Sequence, residues 1–186
     1  MPYEGDGERA RVGFVRESAR RLLAECGIRT PPIDLRTVVA HRGITYREAD
    51  LPPTVSAYCC EHEGARYAIV NRRDHPHRQR FSLAHEIGHL ELFHAVRFVL
   101  REPIDIDHPP ALGYSRTSDP REREANIFAG ELLVPLAMLK QACADGINLE
   151  RLGELFVVSQ EVAAIAVQTH LRSLQPKCEC QRGCSS

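Results

Sequence analysis

The chain has 186 residues, 43% of them hydrophobic and 26% charged, with a formal net charge of −1 and no tryptophan. These are ordinary globular values for one domain or one domain with a small appendage, and the core must be built from Leu, Val, Ile and Ala. Near-neutral charge argues against a polyelectrolyte as the main partner. No run approaches the roughly 18 apolar residues that a membrane span needs, and the opening MPYEGDGERARVGF has early acids and no apolar stretch of the secretory kind. Seven cysteines, two of them adjacent at Cys59 and Cys60, make a poor disulfide framework. A reducing cytoplasm is the expected compartment.

In chain order, residues 7–26 place Val12, Val15, Ala19, Leu22 and Leu23 at helical spacing, and Gly27 ends the run. The prolines at 31 and 32 reset direction, and residues 33–43 read as a short helix closed by Gly43. ITYREADLPP alternates and then breaks, as an edge strand does. Two short strands should follow around Glu63 and Gly64, the second being RYAIVN. Asp74 is the expected N-cap of a helix with Pro76 in its first turn; this helix is predicted to run to about Phe98. Residues 101–120, rich in proline, read as a long functional loop. A helix from about Arg121 to Leu133, another over PLAMLKQACADG and two short helices around Val158 and Ser159 complete the pattern. The expected organisation is a unit over 1–145, a packed C-terminal helical segment over 146–175, and a flexible tail over 176–186.

Chemistry concentrates in FSLAHEIGHLELFH, residues 81–94. Four residues along a helix bring His85 and His89 onto one face about 6 Å apart, within reach of one ion held by bonds of about 2.0–2.1 Å. Glu86, about 100° around, can reach a water on that ion without being a ligand, the arrangement of zinc-dependent peptidases. The polar groups interrupt an apolar run (Leu83, Ala84, Ile87, Leu90), so they are partly buried and need partners that a cation supplies. Gly88 leaves room beside the ion.

A hydrolytic zinc needs a third protein ligand. His94, His108, Glu122, Glu124, Cys59 and Cys60 are the candidates. His94 should face away on the same helix. In REREANIFAGELLVP the residues Ala125, Phe128, Ala129, Leu132 and Leu133 form one face, and Glu122 shares it, whereas Glu124 points toward solvent. Glu122 is therefore the expected ligand and Glu124 the fallback, with Asn126 placed to hydrogen-bond a ligating histidine.

RQRFSLAHEIGHLELFH and EREANIFAGELLVP together, with the Pro-Pro, IDLRTVVAHRGITY and YAIVN segments before them, resemble the ImmA/IrrE-type metallopeptidase family over roughly residues 15–172. Ser82 stands where the family usually has Thr, and Ala166-Val167 where it often shows Arg-Leu. The resemblance implies an α+β, zincin-like (gluzincin-type) fold, mostly helical with a small antiparallel or mixed sheet and a short helix-turn-helix-like C-terminal segment. It implies Glu122 as third ligand, Zn²⁺ (or Mn²⁺) as cofactor, and a helix-turn-helix transcriptional repressor as the protein cut.

Other readings are weaker. From Glu150 to Lys177, Arg151, Arg172 and Lys177 only balance Glu150, Glu154 and Glu161, so direct nucleic-acid binding is not expected of the last helices. Cys178, Cys180 and Cys184 lack the paired spacing of structural zinc sites. Cys60 ahead of the histidine pair raises a deformylase-like metallohydrolase, without the glycine-rich loop of that class. The basic run Arg72, Arg73, Arg78 and Arg80 is expected to be a solvated face, or else a docking patch for an acidic substrate segment. His108 and Tyr114 are candidates for stabilising an oxyanion. The alternative to a peptidase is a regulator that binds a repressor or DNA without cutting.

Overall fold

The computed structural model describes residues 10–62, 64–94 and 119–174. Two helices, α1 (Val12–Glu25) and α2 (Leu35–His41), precede three strands, β1 (Ile44–Ala49), β2 (Ala57–His62) and β3 (Ala65–Asn71). Five helices follow: α3 (Pro76–Glu91), α4 (Pro120–Leu133), α5 (Leu136–Ala144), α6 (Leu149–Phe156) and α7 (Gln160–Leu174). The class is α+β, with a small mixed sheet.

Local chemistry accounts for the boundaries. Asp34 caps α2 by accepting from Arg36 N at 2.9 Å, and Asp119 caps α4 by accepting from Arg121 N at 2.8 Å with Pro120 in the first turn. The expected cap of α3 is displaced by one residue. His75, not Asp74, accepts from the N–H of His77 at 3.2 Å, while Asp74 pairs with Arg78 one turn on.

In the sheet, ordered β1-β3-β2, β3 pairs parallel with β1 (Ile44 opposite Arg66) and antiparallel with β2 (Ala57 opposite Val70). Ala68 and Val70 face the main core, shared with Leu22, Ile33, Ile87, Phe128 and Leu132. Ile69 faces a smaller cluster with Leu51, Val55 and Cys60. Strand alternation thus sends Cys59 and Cys60 to opposite faces. Asn71 secures the loop before β2 by donating to Val55 O at 2.9 Å.

The largest departure from the sequence reading is the end of α3. The helix stops at Glu91 rather than near Phe98. Leu92 is its C-cap, and Phe93 adopts the left-handed region at φ 54°. His94 N then donates to His89 O at 3.0 Å and Phe93 N to Leu90 O at 3.4 Å, closing a Schellman turn. Such a turn usually takes glycine; a phenylalanine there gives no warning in the sequence.

The basic run is a solvated face at Arg72 and Arg73, with 54% and 65% of their side chains exposed, and is drawn into the fold at Arg78 and Arg80. Arg73 reaches Asp50 at 3.1 Å and Arg78 donates to Ser56 Oγ at 2.8 Å. Arg80 donates to Val157 O at 3.1 Å and Ile33 O at 2.9 Å, bracing α3 against the left-handed cap of α6. Its planar fork suits two carbonyls better than an ammonium would.

The helices α3 and α4 pack against each other, and α4 is also covered by α1 and α7. Leu152, Phe156, Val158 and Ala163 belong to the same core as the sheet and α3. No single helix among the described residues is long and apolar enough to cross a membrane. Residues 101–118 of the expected loop, with His108 and Tyr114, and the tail cysteines lie outside the described residues.

The backbones of α3 and α4 approach closely at Gly88. A Cβ there would stand 3.1 Å from Phe128 Cδ1 and 3.3 Å from Ala125 Cα. Ala125 is backbone and Phe128 is fully buried, so neither yields readily. Gly88→Ala should lower unfolding free energy by about 1–2 kcal/mol, overpacking exceeding a helical gain of up to about 1 kcal/mol. Urea denaturation reads this directly; equal or higher stability would show that the helices can separate without cost.

Candidate metal centre

The close approach of α3 and α4 at Gly88 lets groups on both helices converge. Donor atoms of His85, His89 and Glu122 all lie within 4.8 Å of one another. The two imidazole Nε2 atoms are 2.9 Å apart, and Glu122 places Oε2 3.2 Å from the first and Oε1 3.3 Å from the second. A tetrahedral ion with bonds of about 2.0–2.1 Å would hold its donors roughly 3.3 Å apart. The spacing is close to what one cation requires.

The outer nitrogens strengthen the case. His85 Nδ1 lies 2.9 Å from Asn126 Oδ1, and His89 Nδ1 lies 3.0 Å from His94 Nδ1. The Asn126 carbonyl can only accept, so His85 carries its proton on Nδ1. With His89 in the same tautomer, two nitrogen lone pairs and a carboxylate face one another across 2.9–3.3 Å. That arrangement repels unless a positive charge sits among them. The residues fit a divalent cation.

In the cation's absence the same cluster attracts protons. Burial disfavours a charged His85, but the Glu122 carboxylate beside it, with Glu86 and Asn126, raises its pKa above the usual histidine value. Burial would raise the pKa of Glu122, yet its hydrogen bonds to His85 and His89 hold it well below the usual carboxylate range. Glu122 keeps 33% of its side chain exposed whereas His85 keeps 9%, so the cluster opens to solvent on the Glu122 side.

Glu86 follows His85 on α3 and is itself buried, with 7% of its surface exposed. It lies against β2. Burial and the nearby Glu86 carboxylate together push the Cys59 thiol far up, so Cys59 stays protonated beside Glu86. Neither Cys59 nor Cys60 joins the convergent donors among the described residues. Cys60 packs with Leu51, Val55 and Ile69 on the opposite face, which removes the cysteine ligand that a deformylase-like site needs.

Two expectations are corrected. His94 does not face away on α3: the turn at Phe93 carries it off the helix and back beneath His89, where it is 5% exposed. Glu124 does not point to solvent but is fully buried. Its Oε1 accepts from Arg11 N at 2.7 Å and Nε at 3.0 Å, and its Oε2 from Arg11 Nη2 at 2.8 Å. The other contact of Oε2 is His94 Nε2 at 3.1 Å. Burial raises the pKa of this carboxyl, but Arg11 and His94 outweigh burial and bring it down to about 2. His94 has its own pKa lowered, chiefly by burial. The apolar spacing of α4 predicts one buried stripe; covered by α1, α3 and α7, the helix instead buries every residue from Glu124 to Leu133.

Asn126→Ala removes the acceptor behind His85 without touching a ligand atom. It should weaken Zn²⁺ binding by about 10–100-fold, read by competition with a chromophoric chelator. Unchanged affinity would mean that Asn126 does not orient His85.

Comparison with known proteins gives two findings. The model of the Peptidase M78 family, described as the IrrE N-terminal-like domain, matches residues 39–168. A solved Mycobacterium tuberculosis protein titled a transcriptional regulator is similar at 24% identity and a TM-score of 0.57, over 92% of this chain and 49% of that one. This chain therefore spans about half the length of that protein, and the likeness is one of fold. No curated protein matches the sequence.

Proposed function

From the premise that the chain belongs to the IrrE N-terminal-like family of M78 peptidases, we propose that it is a metal-dependent, site-specific endopeptidase of zincin-like (gluzincin) design. His85, His89 and Glu122 are its metal ligands and Glu86 its general base. Two imidazoles and one carboxylate suit Zn²⁺, with Mn²⁺ the second choice. The observation that carries the proposal is the convergence of three electron-pair donors on one point, two of them imidazole nitrogens 2.9 Å apart.

When bound, the cation would supply acidification of water and polarisation of the scissile carbonyl. The remaining work belongs to side chains of the chain. Glu86 takes a proton from the attacking water as the new C–O bond forms. It then delivers that proton to the amine nitrogen as the C–N bond breaks, leaving a carboxyl and an amine. Burial of Glu86 beside the sheet keeps bulk water from competing for its proton.

The substrate in this proposal is a helix-turn-helix repressor, cut to release its genes, within a reducing compartment. The four described cysteines outside the tail are free thiols, in keeping with such a setting. The transcriptional title of the similar solved structure accords with a regulatory role.

Glu86→Gln should keep metal and fold while cleavage of the cognate repressor falls by about 10²–10⁴-fold. Full derepression by this variant would instead favour a regulator that binds without cutting. Glu122→Ala should purify without stoichiometric metal, measured by atomic emission after reconstitution. Full occupancy would overturn the ligand assignment.

A further inference from the structure

Behind His89 stands a line of buried polar groups that the peptidase chemistry above does not use. His89 Nδ1 meets His94 Nδ1 at 3.0 Å, and His94 Nε2 meets Glu124 Oε2 at 3.1 Å. Arg11 closes the line with three donors on the same carboxylate, the longest at 3.0 Å. The side chains of His94 and Glu124 are 3% and 0% exposed. Resting on the metal-site reading, we propose that His94 is a positioning residue for the centre. By accepting the Nδ1–H of His89 and donating its own Nε2–H to Glu124, it fixes the tautomer and ring plane that aim His89 Nε2 at the ion.

The donor directions admit one assignment. If His89 binds through Nε2, its proton is on Nδ1 and needs an acceptor. His94 Nδ1 is that acceptor only when the His94 proton is on Nε2, which in turn needs an acceptor of its own. An ionised carboxylate can only accept, and Arg11 can only donate, so the line ends without ambiguity. The two ligating histidines are thus held differently. His85 leans on the neutral amide of Asn126, whereas His89 is tied through a second imidazole to a charge. Carboxylate–histidine–metal arrays orient the ligand and raise its basicity; here an extra ring lengthens the array.

The backbone shows how His94 gets there. Phe93 sits in the left-handed region at φ 54° with 83% of its surface exposed. That conformation is unfavourable for a non-glycine residue, and the exposed ring returns no burial. The turn nonetheless swings His94 back under His89. A buried imidazole fixed by a strained turn against a ligand fits positioning better than core filling, which an apolar side chain would do without polar partners.

The test is Zn²⁺ affinity by chelator competition, with the d–d absorption of the Co²⁺-loaded full chain as a second readout. Glutamine at 94 can still accept from His89 and donate to Glu124; leucine fills similar space and can do neither. His94→Gln should bind Zn²⁺ within about threefold of wild type and keep its Co²⁺ spectrum. His94→Leu should bind about 10–100-fold more weakly with a shifted spectrum. Equal weakening in both variants, or wild-type affinity in His94→Leu, would overturn the proposal. Should the leucine variant fail to fold, Glu124→Gln decides: about tenfold weaker binding supports the relay, and wild-type affinity overturns it. A wild-type chain that binds no metal would instead sink the site reading itself, and this inference with it.

Discussion

The structure depends on one close approach, that of α3 to α4 at Gly88, where a single Cβ would meet both a core phenylalanine and backbone. Without it Glu122, on α4, could not stand 3.2–3.3 Å from both imidazoles of α3. Sheet and C-terminal helices serve this contact. The sheet backs α3, while α1 and α7 pack against α4 from its other sides. A helix so enclosed must bury its own polar residues, and the remaining features of the site follow from how it does so.

Three acids of α4 meet three fates. Glu122 is neutralised by the histidine pair, and by a cation in the proposed function. Glu124 is neutralised by Arg11 just before α1, and Glu131 by Arg20 at 2.8 Å with Arg16 at 3.9 Å. Glu131 also accepts from Leu136 N at 3.1 Å, tying the start of α5 to the end of α4. Buried ion pairs contribute little net stability, but losing one partner is costly because the other charge is left stranded. Their consequence here is geometric. Arg11 at the start of α1, with Arg16 and Arg20 on it, fixes the rotation of α4 about its axis, and that rotation decides whether Glu122 or Glu124 faces the histidine pair.

Much of this was legible in the sequence because the signals were local. Helical spacing puts His85 and His89 on one face and Asn126 one turn past Glu122 as a histidine partner, but the facial argument that separates Glu122 from Glu124 has their burial reversed, Glu124 being fully buried and Glu122 partly exposed. The two strands around residues 63 and 64, the edge strand before them and the caps at Gly27 and Gly43 rest on turn chemistry that glycine announces. What stayed hidden was non-local or lacked its usual marker. Phe93 occupies a left-handed turn position that glycine usually marks, so helical periodicity extends α3 past its true end and carries His94 with it. A single apolar stripe points Glu124 to solvent, whereas α4 is covered on several sides and buries it. Its partner Arg11 lies 113 positions away in the chain, and no sequence pattern signals such a pairing.

In the proposed centre, two imidazoles and one carboxylate surround a single cation with no thiolate, and X-ray absorption at the zinc edge of the reconstituted protein reads that shell. Nitrogen and oxygen alone are expected at about 2.0–2.1 Å, with outer scattering from two imidazole rings. A sulfur at about 2.3 Å, or a shell without imidazole, would contradict that assignment.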